Sequence, residues 1–60
     1  MKFAEIQKIV IGDGWYLVRV NGSHYQYRHA VKKGGVTIPR HTGDIPQTVI
    51  NSILKQAGLK

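Results

Sequence analysis

The sequence predicts an α+β domain: a three-stranded antiparallel sheet carrying two helices on one face, in the order α-β-β-β-α. Three observations predict it. Apolar residues recur at helical spacing near both ends of the chain, and the middle is rich in aromatic and β-branched residues. Within that middle, Asn21-Gly22 is the strongest short signal for a hairpin. Sixty residues make a single domain, residues 1–60, with a small core.

Residues 3–12 form the first predicted helix. Phe3, Ile6 and Val10 fall at i, i+3 and i+7 on one face, with Ile9 beside them. Gly12 and Gly14, on either side of Asp13, stop it. Trp15 to Val20 reads as the first strand and His24 to His29 as the second. Ala30 to Gly35, with Lys32, Lys33 and two glycines, reads as a turn. Val36 to Ile38 is a short third strand that Pro39 stops, and Arg40 to Asp44 is a loop. Pro46 suits the first turn of the last helix, where its missing N–H costs nothing. Val49, Ile50, Ile53, Leu54 and Ala57 make that helix's apolar stripe. Gly58 is its expected C-cap, with Leu59 folding back on the last turn.

A two-residue turn at Asn21-Gly22 sets a register. Val20 then faces Ser23, Arg19 faces His24, Val18 faces Tyr25, Leu17 faces Gln26, Tyr16 faces Tyr27, and Trp15 faces Arg28. Alternation sends Tyr16, Val18, Val20, Tyr25 and Tyr27 towards the helices with Val36 and Ile38. It leaves Arg19, His24, Gln26 and Arg28 on the other face, with Trp15 and Leu17 among them. Trp15 is a candidate both for the core and for a flat platform that stacks a base.

Composition narrows the function classes. There is no cysteine, which excludes disulfides and thiolate metal sites. No apolar run approaches the roughly 20 residues of a membrane span. Glu5 and Gln7 interrupt the start, so it does not read as a signal peptide, and a cytoplasmic protein is expected. Nine Lys and Arg against three Asp and Glu leave a formal net charge of +6. Such a chain attracts polyanions, nucleic acid first among them. A generic basic surface or an acidic protein partner stands as the alternative.

His24 is the candidate catalytic residue. Histidine can take or give a proton near neutral pH, and RNA carries its own nucleophile in the 2′-OH. Arg19 would stabilise the phosphate and Ser23 would orient either group. Gln26, Arg28, Lys32, Lys33 and Arg40 complete the candidate RNA contacts. Arg28 lies about 13 Å along the strand from His24, so it would hold a different phosphate. Ordinary readings stand beside these. A histidine after a turn is usually a surface residue, and Lys32-Lys33 is usually a solvated turn. His29 lies on the opposite parity and His41 lies in a loop. A zinc site from the three histidines finds no supporting carboxylate nearby, so neither a metal nor a cofactor is expected.

The chain resembles the HicA family of toxins from bacterial type II toxin–antitoxin pairs. The matching residues are Gly14-Trp15, Arg19, Gly22-Ser23-His24, Tyr27-Arg28-His29, Val36-Thr37-Ile38-Pro39 with His41, and Ser52 to Leu59. The resemblance implies a double-stranded-RNA-binding-like fold and an endoribonuclease that cleaves mRNA and arrests translation and growth. It implies that His24 is the catalytic histidine after Gly-Ser, and that a HicB-type antitoxin covers the site. Two positions depart from the family pattern: Ala30 stands where a proline is frequent, and Tyr25 where a second histidine is frequent. A non-catalytic RNA-binding module and an interaction domain for an acidic partner remain as alternative classes.

Overall fold

The computed structural model describes residues 1–60, and its elements follow the predicted order. They are α1 (Phe3–Gly12), β1 (Trp15–Asn21), β2 (His24–His29), β3 (Val36–Pro39) and α2 (Gln47–Gln56). The strands form one antiparallel sheet in the order β1-β2-β3. Phe3, Ile6 and Val10 of α1 and Ile50, Ile53 and Ala57 at α2 meet Trp15, Tyr27, Val36 and Ile38 in a single core. Both helices therefore lie on one face of the sheet, and the other face is open. Ile45, from the loop before α2, is also buried, held by its N–H donating to the Met1 carbonyl at 2.8 Å.

Local chemistry accounts for the helix ends. Glu5 Oε1 accepts the Lys2 backbone N–H at 2.8 Å, which satisfies a donor left free before the first turn and places negative charge at the helix N-terminus. At the other end Gly14 has φ 103, and a Cβ there would sit 2.6 Å from His29 Nε2. Both the backbone and the space demand glycine. Pro46 precedes the first turn of α2, and the Leu59 N–H returns to the Leu54 carbonyl at 2.8 Å, closing the helix as the sequence predicts.

The hairpin differs from the predicted register in two ways. The turn sits one residue later, at Gly22-Ser23, so Asn21 pairs with His24, Val20 with Tyr25 and Arg19 with Gln26. Gly22 has φ 63, while no non-glycine residue has positive φ. A positive φ at the first central position alone suits a turn with glycine leading, whereas Asn21-Gly22 as the central pair would have needed both. This shift changes partners but not faces: Arg19 stays on the face of His24 and Gln26.

The second difference does change faces. A bulge between Leu17 and Arg19 takes Val18 out of the ladder, and beyond it Leu17 pairs with Tyr27, Tyr16 with Arg28 and Trp15 with His29. Trp15 is thereby turned into the core, 1% exposed, and Tyr16 onto the open face, 52% exposed. The predicted placements of Tyr16, Val18 and Leu17 are corrected accordingly, and Trp15 is core rather than platform. Burying an indole of roughly 200 Å² is worth about 5 kcal/mol. That exceeds the cost of one disturbed ladder position, so the largest side chain decides the geometry of β1.

Candidate functional site

The open face is a row of polar and cationic side chains. β2 contributes His24, Gln26 and Arg28 by alternation. β1 contributes Arg19 opposite Gln26 and Tyr16 opposite Arg28, with Asn21 opposite His24. β3 contributes Thr37 opposite Gln26 and Pro39 opposite His24. His24 is exposed at the start of β2, directly after the turn.

Arg19 is the diagonal neighbour of His24 rather than its direct partner, as the later turn requires. Diagonal positions are about 7–8 Å apart at the backbone, within reach of a long side chain. A phosphate seated over His24 can therefore still meet the Arg19 guanidinium. Ser23 is exposed in the turn, and its carbonyl accepts the Arg40 N–H at 2.7 Å, which ties the turn to the end of β3. Further along the sheet, Val18, Gln26, Arg28, Gly34, Gly35 and Thr37 border a cleft of about 280 Å³. Arg28 Nη1 donates to the Gly34 carbonyl at its rim, at 3.3 Å.

Two candidate RNA contacts are placed elsewhere. Lys32 forms an ion pair with Asp13 and donates to the Ala57 carbonyl at 3.0 Å. It joins the end of α1 to the end of α2 and is occupied in doing so. Arg40 lies on the helix side of the sheet, its guanidinium 5.6 Å from the Phe3 ring centroid and 6.0 Å from that of Tyr25. It also donates to the Tyr25 hydroxyl at 3.1 Å. Only its backbone N–H, bonded to the Ser23 carbonyl, meets the turn, whereas Lys33 is exposed in the β2–β3 connection.

The three histidines do not converge. His29 is bound on both sides: its Nε2 donates to the Asp13 carbonyl at 2.7 Å, and its Nδ1 accepts the N–H groups of Val31 and Lys32 at 3.0 Å each. Those three bonds hold the ring in place and give it a structural role. His41 is exposed in the loop after β3, beside a second cleft of about 310 Å³ that Lys2 and Arg40 also border.

Carboxylates are absent from the open face. Glu5 bonds the Lys2 N–H, Asp44 sits 3.9 Å from both the N-terminal ammonium and Lys2 Nζ, and Asp13 holds Lys32. The Lys32 ammonium, hydrogen-bonded to it, keeps the Asp13 carboxyl below its ordinary value against an opposing desolvation. Burial pushes the Tyr27 phenol up, although the Gln7 amide donating to its oxygen opposes this. Neither perturbed group is on the open face.

Sequence reasoning found His24, Arg19, Gln26 and Arg28 on one face and missed Tyr16, Val18 and Thr37. For Tyr16 and Val18 the missing signal was the β1 bulge, which reverses alternation for residues before it, whereas Thr37 was within reach of simple alternation between the inward Val36 and Ile38. A family model described as HicA toxin of bacterial toxin-antitoxin matches residues 3–59. No curated protein matches the sequence.

Proposed function

The chain belongs to the HicA toxin family of bacterial toxin–antitoxin systems, and from that premise we propose that it is an endoribonuclease that cleaves mRNA with His24 as general acid or base. The observation that carries this reading is the exposed His24 on a face with Arg19 and Arg28 and no carboxylate.

The chemistry is a transesterification. The 2′-OH loses its proton, its oxygen attacks the adjacent phosphorus, and the bond to the 5′-oxygen breaks as that oxygen gains a proton. The products are a 2′,3′-cyclic phosphate and a 5′-hydroxyl. His24 moves one of the two protons. Arg19, diagonal to it, offsets the charge that develops on the non-bridging oxygens. The Ser23 hydroxyl orients the phosphate or the imidazole. Gln26, Arg28 and Lys33 hold the strand beyond the scissile bond. Because RNA supplies the nucleophile, the reaction calls for no metal-bound water, and DNA, lacking the 2′-OH, survives. A HicB-type antitoxin restrains the toxin by covering this face, and the protein acts on mRNA in the cytoplasm.

The test is purified wild-type and His24→Ala protein incubated with RNA in the presence of a chelator. Wild type yields fragments with cyclic-phosphate and 5′-hydroxyl ends, and His24→Ala, still folded, yields none. A His24→Ala protein that cleaves as well as wild type removes His24 from the mechanism. Salt-sensitive binding without any cleavage by wild type establishes instead a non-catalytic RNA-binding module.

A further inference from the structure

We propose that the open face takes single-stranded RNA in preference to duplex, with the Tyr16 ring as the platform on which one unpaired base stacks. This rests on the reading of that face as an RNA site and names the form of RNA it accepts.

Tyr16 is the one tyrosine placed for this. The Tyr27 ring is buried and its hydroxyl accepts the Gln7 amide. Tyr25 packs edge-on against Phe3 with centroids 4.9 Å apart, and its hydroxyl accepts from Arg40. Tyr16 is half exposed on the open face, opposite Arg28. Cross-strand partners stand about 5 Å apart at Cβ, so a base on the ring lies beside a guanidinium that can meet its phosphate. A single exposed aromatic is ordinary on a protein surface. Here its cross-strand partner Arg28 borders the cleft that Val18, Gln26 and Thr37 also line. A cleft of about 280 Å³ lies at the small end of ligand sites, which run from roughly 300 Å³ upwards, and suits one base rather than several. An aromatic ring, a cation and amide and hydroxyl groups on an open sheet are the parts with which proteins hold splayed bases.

Two physical arguments exclude a duplex as the preferred form. Bases inside a helix are stacked on one another and present no face to Tyr16. Attack by the 2′-oxygen also needs it in line with the departing 5′-oxygen, an arrangement that A-form geometry does not provide and a flexible strand does. Tyr16 lies beside Arg28, which is about 13 Å along β2 from His24. The stacked base therefore belongs to a nucleotide near, but not at, the cleaved bond.

The experiment uses full-length His24→Ala protein, which removes the proposed cleavage, and a fluorescein-labelled octaribonucleotide offered alone or annealed to its complement. Anisotropy at fixed salt is expected to show tighter binding of the single strand. Tyr16→Ala is expected to weaken single-strand binding about tenfold while Tyr16→Trp retains it. The thermal midpoint controls for folding, and upfield shifts of the Tyr16 ring protons on titration report stacking directly. Equal binding of both forms, or Tyr16→Ala affinity within twofold of its parent with no ring shift, overturns the proposal. If wild type cleaves RNA yet Tyr16 has no effect, the platform falls and the nuclease reading stands. If no RNA is cleaved yet Tyr16 governs single-strand binding, the platform stands and the nuclease reading falls.

Discussion

Deleting Val18 should leave the fold intact, an outcome that only the bulge permits. Arg19 pairs with Gln26 and Leu17 with Tyr27, so consecutive residues of β2 face residues of β1 with Val18 between them. Without Val18 the same pairs form a regular ladder, and Trp15 still enters the core. Val18 is 51% exposed, so its removal forfeits about half the roughly 1.5–3 kcal/mol of a fully buried valine. The restored ladder offsets part of that, and the net change should stay within about 1 kcal/mol. Deleting Gln26 is the contrast. It pairs with Arg19 on one side and Thr37 on the other, with no spare residue on β2. That deletion reverses alternation on one side of the gap and expels either Tyr27 or the residues of the turn. Losing a buried aromatic costs about 3–5 kcal/mol, and a 60-residue domain has only about 3–9 kcal/mol in total. Urea unfolding gives the free energies. The Trp15 indole N–H, bonded to Asp13 Oδ2 at 3.2 Å, gives one resolved NMR signal that reports whether the ring keeps its place. If the Val18 deletion loses more than about 2 kcal/mol, or that signal moves to its solvent-exposed position, the bulge does not lie where the pairing puts it.

Other consequences follow from the same contacts. Gly14→Ala should cost about 2–4 kcal/mol in urea unfolding, because a positive φ for alanine costs about 1–3 kcal/mol and the His29 bond to Asp13 is displaced as well. Gly12→Ala, which meets nothing within 4 Å, should be neutral or stabilising. Arg19→Ala and Arg28→Ala should each reduce the slope of log K against log salt for single-stranded RNA by about 0.7, whereas Lys32→Ala should lower stability and leave that slope unchanged. Stability should fall in acid as Asp13, whose folded value is lowered, protonates: its contribution is complete above the ordinary carboxylate value of about 4 and is lost as pH falls through the lower folded value. Lys32→Met should flatten that acid limb. Tyr27 acts at the other end, since its folded value is raised: its contribution is complete below about 10 and declines as pH rises from there through the folded value, so Tyr27→Phe should flatten the alkaline limb of a thermal-midpoint profile.

Helices and strands were legible because their signals are local. The i, i+3, i+7 spacing of Phe3, Ile6 and Val10 depends on nothing outside the helix, and all three are buried. The strand ends at Trp15, His24 and Val36 followed in the same way. The register was less legible because Gly22 can lead a turn with Ser23 as readily as it can follow Asn21, and pairing elsewhere decides between them. The bulge was not legible at all. Trp15-Tyr16-Leu17-Val18 offers an apolar residue at every position, so alternation cannot show which parity faces inward. The choice falls to packing around Trp15, in the shape of the space beside His29 and the hydrogen bond to Asp13. The candidate site was half visible for the same reason: residues on the turn side of the bulge kept their predicted face, and Tyr16, beyond it, did not.

The distribution of charge is what joins stability to function in so small a chain. Each of the three acidic residues is held away from the open face, Glu5 and Asp44 by the first two residues and Asp13 by Lys32. The Asp13 arrangement also fastens α1, β1 and the end of α2, with His29 beside it. A carboxylate that would repel a phosphate is thus held in the scaffold, and Arg19 and Arg28 remain without an acidic neighbour on the surface that carries His24. Screening confines exposed charges to roughly 8 Å at physiological ionic strength. What a polyanion meets at that face is therefore the local set of cations rather than the net charge of +6. Moving one acid onto the open face, as in Gln26→Glu, should weaken RNA binding far more than the same charge added to the exposed side of α2. The net charge of the two variants is identical, so any difference between them measures placement alone.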